Sequence, residues 1–598
     1  MFLAPLALLA QDRGAAALAP LVNGLGVNVR VLMIAAHPDD EDTQLLTWLG
    51  KGRHVESAYL ALTRGDGGQN IIGNELGEPL GAIRTEELLA ARRMDGARQY
   101  FTRAFDFGFS KNAEETLTQW SRDSVFRDVI TVVRAFRPHV IVSVFSGTPA
   151  DGHGHHQVAG ILAREAYDLS ADTVRIPRAA TAGFGPWSVA KFYRGASFRN
   201  QERATIRINV GEFDPVMGRS YSEVAADSRS QHKSQAMGSL QLKGVRFDQL
   251  LREAARVGPQ DASSERSIFD GIDTTWGRFH PAMRTPAQHA ALSALPTAFD
   301  AARASLNLLD PGAAIPALVR LQQALNAVCG EASAENPCAT MSVDGRSMLV
   351  RHDDLLASME VASSRVERAL ALASGVAVEV TASRALFATG ETFRSAYAAF
   401  NRGKVPLRLS RRVLLSAGAA PAMLAGDART IAADSAARDS VPVTIAHPGQ
   451  PWWLERPRQG PMFGVPGRAG DEAGQQSSPV VVSFFEVAGG SFGVFTPVTY
   501  RYADAVRGEV NQPVVGAPAI TLTMEREIEY AQAGVPIQRV VNVEVRSHAS
   551  EAREVDVRLT LPAGLVADSA VRRVSLTGNR DAGSAAGAVR TVTFTVRG

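Results

Sequence analysis

The sequence predicts an α/β, Rossmann-like N-terminal domain with a parallel sheet, then a helical connector, then C-terminal β-sandwich modules of immunoglobulin-like size. Three observations carry that prediction. Apolar runs alternate with helix-patterned segments from about residue 30 to 240, as in a parallel sheet with helices on both faces. Residues 284–327 and 347–373 carry amphipathic spacing, with Leu292, Leu295 and Phe299 along one helical face. At Val376 the pattern changes to two-residue alternation broken by turn residues, the mark of half-buried antiparallel strands.

Taken in order, Phe2 to Ala10 is a short apolar run ending in small residues before Gln11-Asp12-Arg13. It reads as the h-region and cleavage site of a secretory signal over 1–15, although the basic n-region is missing. An exported protein, periplasmic or extracellular, is expected; the competing reading is a cap on the domain that follows. In that domain, 25–270, strands are expected at 30–36, 56–63, 139–145, 189–194 and 204–210. Helices are expected near 41–51, 83–100, 113–136 and 156–168. The connector spans 280–373, a first β-sandwich 375–508, and a second, immunoglobulin-like one 515–598. The last strand pattern still runs at TVTFTVRG, as if cut in mid-strand. Because the α/β pattern and connector are complete by about 375, truncation there is expected to leave a folded core.

Composition narrows the function classes. A chain of 598 residues is long enough for about four domains. Its 45% apolar and 21% charged content is ordinary globular material. A net charge of +2 gives no reason to expect nucleic acid or an anionic membrane surface. No apolar run reaches the roughly 18 residues of a transmembrane helix. The only cysteines, Cys329 and Cys338, are nine apart in a Gly/Asn/Pro-containing loop, which in an exported protein suits a disulfide. Gly65-Asp66-Gly67-Gly68 lacks the Lys-Ser/Thr of a P-loop, so no nucleotide site is read there. Trp452 and Trp453 could stack on sugar rings and give the β-sandwich half a glycan contact, or they could plug a seam. The burial habit of Trp favours the seam.

The most informative stretch is Val31-Leu-Met-Ile-Ala-Ala-His-Pro-Asp-Asp-Glu41, a buried-strand pattern ending in His37, Asp39 and Asp40. A second apolar strand, Val140 to Phe145, leads to Asp151-Gly-His153-Gly-His155-His156. Alone, either cluster could be a solvated turn or a surface tract. Both, however, occupy the carboxyl end of a strand in a βα unit, where open α/β sheets bind ligands. Catalytic zinc takes three His or carboxylate ligands and keeps one position open. His37, Asp40 and one histidine of the second cluster would supply that set, leaving Asp39 free to move protons.

These motifs resemble the PIG-L/LmbE-type de-N-acetylase family: Ala36-His-Pro-Asp-Asp-Glu41, His153-x-x-His156, Leu62-Thr-Arg-Gly-Asp-Gly-Gly68, Arg84-Thr-Glu-Glu-Leu88 and His232-Lys-Ser-Gln235. The resemblance covers roughly residues 28–240. It implies a zinc-dependent amidase acting on an N-acetylated sugar or glycoconjugate, with ferrous iron accepting similar ligands. Carried across, it implies His37, Asp40 and His156 as metal ligands and Asp39 as general base. His153 would polarise the carbonyl or protonate the leaving amine. One departure stands out: the family's second motif usually reads His-x-Asp-His, and here the third position is His155. Asp151 is a candidate substitute partner for His153. Arg84 and Asp66 are expected at the same sheet edge, holding sugar hydroxyls or an anionic aglycone, or else serving as helix-start charge and turn former. The alternative function is a non-catalytic surface or carbohydrate-binding protein whose β-sandwiches do the adhesion.

Overall fold

The computed structural model describes residues 14–195, 203–329, 354–417, 419–426, 428–464, 470–473, 478–526, 530–579 and 588–598, and the backbone of 340–343 and 346–349. The expected signal stretch, apart from residues 14 and 15, and Cys338 lie outside the described residues.

Five parallel strands form most of the N-terminal sheet: β1 (Arg30–Ala35), β2 (Glu56–Ala61), β3 (Arg98–Phe101), β4 (Val140–Ser143) and β5 (Lys191–Gly195). After β6 (Ile206–Asn209) and a small hairpin, β7 (Phe213–Asp214) with β8 (Arg219–Ser220), comes β9 (Phe247–Ala255). It lies antiparallel to β5 and β6, so the sheet runs β3-β2-β1-β4-β5-β9-β6. All six β1 residues are buried, because both faces of the strand are covered. Leu32 and Ile34 pack toward α5 (Arg122–Phe136) and α6 (Gly154–Leu169). Val31 and Met33 pack on the other face with α2 (Thr43–Thr47), α3 (Glu78–Asp95) and α7 (Tyr221–Arg229).

β1 lies between β2 and β4, so the chain order reverses at the β1–β4 pair. Val31 stands beside Val140 and Ile34 beside Ser143. The two His/Asp loops therefore leave adjacent strands at the switch point, where such sheets open a crevice.

Several boundaries differ from the sequence expectation, each for a local reason. The helix expected over 83–100 starts earlier, with Pro79 in its first turn, and stops at Asp95 because Gly96 adopts φ 86 as a left-handed cap. Arg98–Phe101 is then free to pair with β2 as the edge strand. The helix expected over 113–136 breaks at Trp120, which turns extended and buries its indole, donating Nε1–H to Phe105 O. Phe247–Ala255, to which the sequence reading assigns no element, becomes a strand through its pairing with β5 and β6, a tertiary override of local propensity. In the connector, α8 (Pro286–Ala304), α9 (Ile315–Cys329) and α10 (Asp354–Ala373) replace two longer helices.

From Val376 the described regular elements are strands, apart from one helical turn at Trp452–Leu454. One five-stranded sheet contains 376–382, 392–401, 435–444, 499–504 and 508–513, and another is built on 407–415, 480–487 and 490–497. Their buried residues, among them Val380, Tyr397, Leu409 and Phe485, belong to one core with Leu292 and Phe299 of α8, Leu318 of α9 and Val366 of α10. The final strands keep a separate small core around Val545, Leu576 and Phe594.

That shared core reverses the truncation expectation. A chain ending near residue 375 would leave the strand-facing surface of α8 to α10 bare, a large contiguous apolar patch. Such a truncation is expected to be insoluble or aggregated on size-exclusion chromatography. A soluble, cooperatively melting monomer would show that the shared core is dispensable.

The tryptophan pair also resolves. Trp452 and Trp453 are each 8% exposed and cluster with Phe105 and Phe463, so they plug a seam against the N-terminal domain and offer no sugar platform.

Candidate metal centre and its supports

The carboxyl end of β1 is held by its neighbour: Thr63 Oγ1 donates to Ala36 O (3.1 Å), and Tyr59 OH to His37 O (2.5 Å). The chain then turns so that Asp40 folds back over the strand end. Its Oδ2 accepts the N–H groups of Ala36 (3.2 Å) and His37 (2.7 Å) and lies 3.1 Å from His37 Nδ1. Its Oδ1 lies 3.5 Å from His156 Nε2. Burial alone would raise the Asp40 pKa, but His37 and His156 hold it well below the ordinary carboxylate range. For His37, burial works downward and the Asp40 carboxylate outweighs it, so its pKa is raised.

The second loop leaves β4 and enters α6, with His153 as the N-cap. His153 Nδ1 accepts the His155 N–H (3.2 Å), which puts the proton of the neutral ring on Nε2. Burial first, then His37 and His156, lower the His153 pKa to about 4, so this ring is neutral near pH 7. His156 stacks on Phe145 (centroids 4.0 Å apart), and its Nδ1 donates to Asp151 O (3.3 Å). A carbonyl partner on one ring nitrogen orients the other as a ligand, here Nε2 toward Asp40. The Asp151 carboxylate itself is occupied: Ser146 N and Oγ, Gly147 N and Thr148 N all donate to it. Asp151 therefore serves His156 through its backbone and does not orient His153; the nearer group to His153 Nδ1 is Ser110 Oγ, at 3.4 Å.

Among the described residues, two sets of donor atoms lie within 4.8 Å of one another: His37, Asp40 and His156, and His37, His153 and His155. The second set depends on His155, which is fully buried, stacked on Trp120 (4.3 Å) and edge-on to Phe107 (4.5 Å). That set holds no carboxylate, and its His155 is closed off from solvent. The first set has a carboxylate, two oriented imidazoles and access from the crevice, which fits zinc or ferrous iron. His155, at the departure from the usual motif, does not copy the role of an Asp. Its Nδ1 lies 3.1 Å from His37 Nε2, and the Asp106 carboxylate faces both rings, at 3.8 Å from His37 and 3.7 Å from His155.

Asp39 belongs to neither set. Its φ of 99° is a strained conformation for a side-chain-bearing residue, costing on the order of 1–3 kcal/mol unless its surroundings impose it. They do impose it. The Asp39 N–H donates to Glu41 Oε2 (2.9 Å), and its carbonyl accepts from Arg229 Nη1 (3.1 Å). Its Oδ1 accepts from Arg84 Nη2 (3.1 Å). Burial pushes the Asp39 pKa up to about 6 against the pull of Arg84, so the carboxyl can gain and lose a proton near neutrality.

The expected sugar contacts, Arg84 and Asp66, sit elsewhere in this scheme. Arg84 is a buried α3 side chain that also donates to Pro38 O (2.5 Å) and Gly65 O (3.0 Å), so it positions Asp39 and faces no solvent. Asp66 is buried, with its Oδ1 against Gly81, where an added Cβ would lie only 2.0 Å away. Burial and the neighbouring Asp106 push its pKa up to about 7.

Three supports escape the sequence reading. Glu41 accepts from His232 Nε2 (2.7 Å) and Arg92 Nη2 (3.2 Å), tying the late His-Lys-Ser-Gln stretch to the first motif. Glu87 accepts from Ser234 N (2.7 Å) and Oγ (2.6 Å). Asp106 has no sequence signature beyond following a strand. Glu41 and Glu87 stand inside the quoted motifs, where spacing reveals presence but not partners.

The segment that carries both loops matches a known family. Residues 32–167 match the profile of the GlcNAc-PI de-N-acetylase (PIG-L) family. The chain is 29% identical over 201 residues to the 1D-myo-inositol 2-acetamido-2-deoxy-alpha-D-glucopyranoside deacetylase of Thermobispora bispora, covering 30% of this chain and 62% of that protein. It is 31% identical over 143 residues to the diacetylchitobiose deacetylase of Thermococcus kodakarensis, covering 24% and 50%. Among solved structures, the N,N'-diacetylchitobiose deacetylase from Pyrococcus horikoshii aligns with 20% identity and a TM-score of 0.27, over 34% of this chain and 70% of that one. The chain spans less than two thirds of the length of these curated relatives. With its two motif loops gathered at one switch point, the segment 32–167 is a domain of the GlcNAc-PI de-N-acetylase (PIG-L) type.

Proposed function

We propose that this protein hydrolyses the N-acetyl amide of an amino sugar or related conjugate, with zinc as its metal. The observation that carries the reading is a complete donor set, His37, Asp40 and His156, beside a separate carboxylate held out of that set. A binding-only protein would have no use for Asp39 in a strained conformation with three polar restraints. The named relatives, deacetylases of acetylated amino sugars, supply the substrate class.

A divalent ion in this set supplies a water acidic enough to attack a carbonyl near neutral pH. The remaining work falls to the chain's own residues. Asp39, with one oxygen held by Arg84, offers the other to the proton of the attacking water. His153, neutral and protonated at Nε2, donates to the oxygen on which charge develops, or to the departing nitrogen. Water and amide become acetate and free amine, and no other reactant is needed. The test is acetate release from a panel of N-acetylated glycans by the metal-loaded full chain, with metal content measured in parallel. Release from none of the panel by a fully loaded protein would overturn the reading.

Arg84 separates two roles within this scheme. If it positions Asp39, Arg84→Met should lower kcat by as much as roughly a hundredfold, the cost of a displaced catalytic group, with KM little changed. A sugar contact would instead raise KM and spare kcat.

A further inference from the structure

The strand-rich half does more than share a core with the helices: residues 451–463 reach across to the layer that supports the metal centre. Pro461 O accepts the Phe105 N–H (2.9 Å), and the Phe463 N–H donates to Arg103 O (2.8 Å), an antiparallel pairing around Ala104 and Met462. Arg458 lies over the Phe105 ring (3.7 Å) and pairs with Glu78 (2.5 Å). Trp453 covers the guanidinium of Arg64 at 3.4 Å, and Phe101 lies at 4.0 Å from the same group.

Arg64 is an unusual side chain. It is fully buried, makes one hydrogen bond, to Thr85 Oγ1 (3.3 Å), and its Nε and Nη2 have no hydrogen-bond partner. The faces of Phe101 and Trp453 are thus what its charge rests against, an arrangement favoured when a cation is desolvated over an aromatic ring. Its chain neighbours both touch the site's frame: Thr63 holds Ala36 O, and Gly65 O is held by Arg84, the partner of Asp39. Phe105, the other residue the clamp grips, directly precedes Asp106, whose carboxylate faces His37 and His155.

We propose that residues 451–463 are a positioning clamp for the hydrolytic site, with Trp453 as its central residue. One aromatic plug supplied by the C-terminal half secures both supports, the Arg64–Gly65–Arg84 route to Asp39 and the Phe105–Asp106 route to His37. The amidase chemistry of the N-terminal domain then depends on a segment nearly four hundred residues beyond Arg64 in sequence. The inference rests on the function proposed above only for its kinetic consequence, not for the structural one.

The test uses the full chain with Trp453→Leu, Trp453→Phe and Arg458→Ala, read by amide hydrogen exchange and by steady-state kinetics. Trp453→Leu keeps an apolar plug but removes the aromatic face. It should speed exchange in both 62–68 and 103–110 and lower kcat by roughly tenfold or more, with KM within about threefold, as for a displaced catalytic group. Trp453→Phe, which restores a ring, should return both readouts most of the way toward wild type. Arg458→Ala lies at the clamp's outer edge and covers the case in which Trp453→Leu fails to fold; it should loosen 103–110 alone. Unchanged exchange in both segments for a folded Trp453→Leu, or in 103–110 for Arg458→Ala, overturns the clamp. Altered exchange in a wild-type-like scaffold that hydrolyses no amide would leave the clamp standing and sink the hydrolase reading instead.

Discussion

Asp39→Asn is expected to keep one divalent ion per chain and to lower turnover by roughly a hundred- to ten-thousand-fold, the range for loss of a general acid or base. The size follows from what the substitution removes. Asparagine can take the same φ of 99°, accept from Arg84 and keep the backbone bonds to Glu41 and Arg229, so the frame survives. It cannot take a proton from water. Asp39 also stands outside both sets of donor atoms, so metal content should not change. His153→Ala should behave alike, with metal retained and turnover low, because it removes the Nε2 donor and no atom of the His37, Asp40 and His156 set. Metal analysis alongside acetate release checks both. An Asp39→Asn protein with a near-normal rate, or one without metal, would falsify this division of labour.

Loss of the metal itself is the second large effect. His37→Ala, Asp40→Asn and His156→Ala are each expected to abolish tight stoichiometric metal binding, with activity returning partly in Asp40→Asn when metal is added in excess. Asp40 is the most exposed to this test, since it holds the backbone of the strand end as well as facing both histidines. His155→Phe distinguishes the two donor sets. It keeps a ring against Trp120 and Phe107 but removes both nitrogens. Metal retained in His155→Phe and lost in His156→Ala supports the set with Asp40; the opposite pattern assigns the metal to His37, His153 and His155.

Much of this site is legible in the chain because its chemistry is local. His37, Asp39 and Asp40 follow one buried strand within four residues, and His153 to His156 open one helix. A short apolar run that stops at such residues can be read without knowing what lies beside it. The helix ends were less legible. The signal that stops α3 is a single Gly96, and β9 exists because β5 and β6 present free edges to it.

By itself, then, the sequence determined the α/β order, the two loops and the residue types able to hold a metal and move a proton. Tertiary structure alone decided which groups serve which. Arg84 and Asp66 look equally suited to a surface sugar contact until packing buries both and turns one toward Asp39. His232 meets Glu41 across 191 positions, and Asp106 reaches His37 from another loop. The tryptophan pair, ambiguous as a motif, becomes a plug over Arg64 and Phe105. The reason is physical: covalent spacing sets what a loop carries, whereas burial, partner choice and the resulting pKa depend on atoms brought close only by the folded chain.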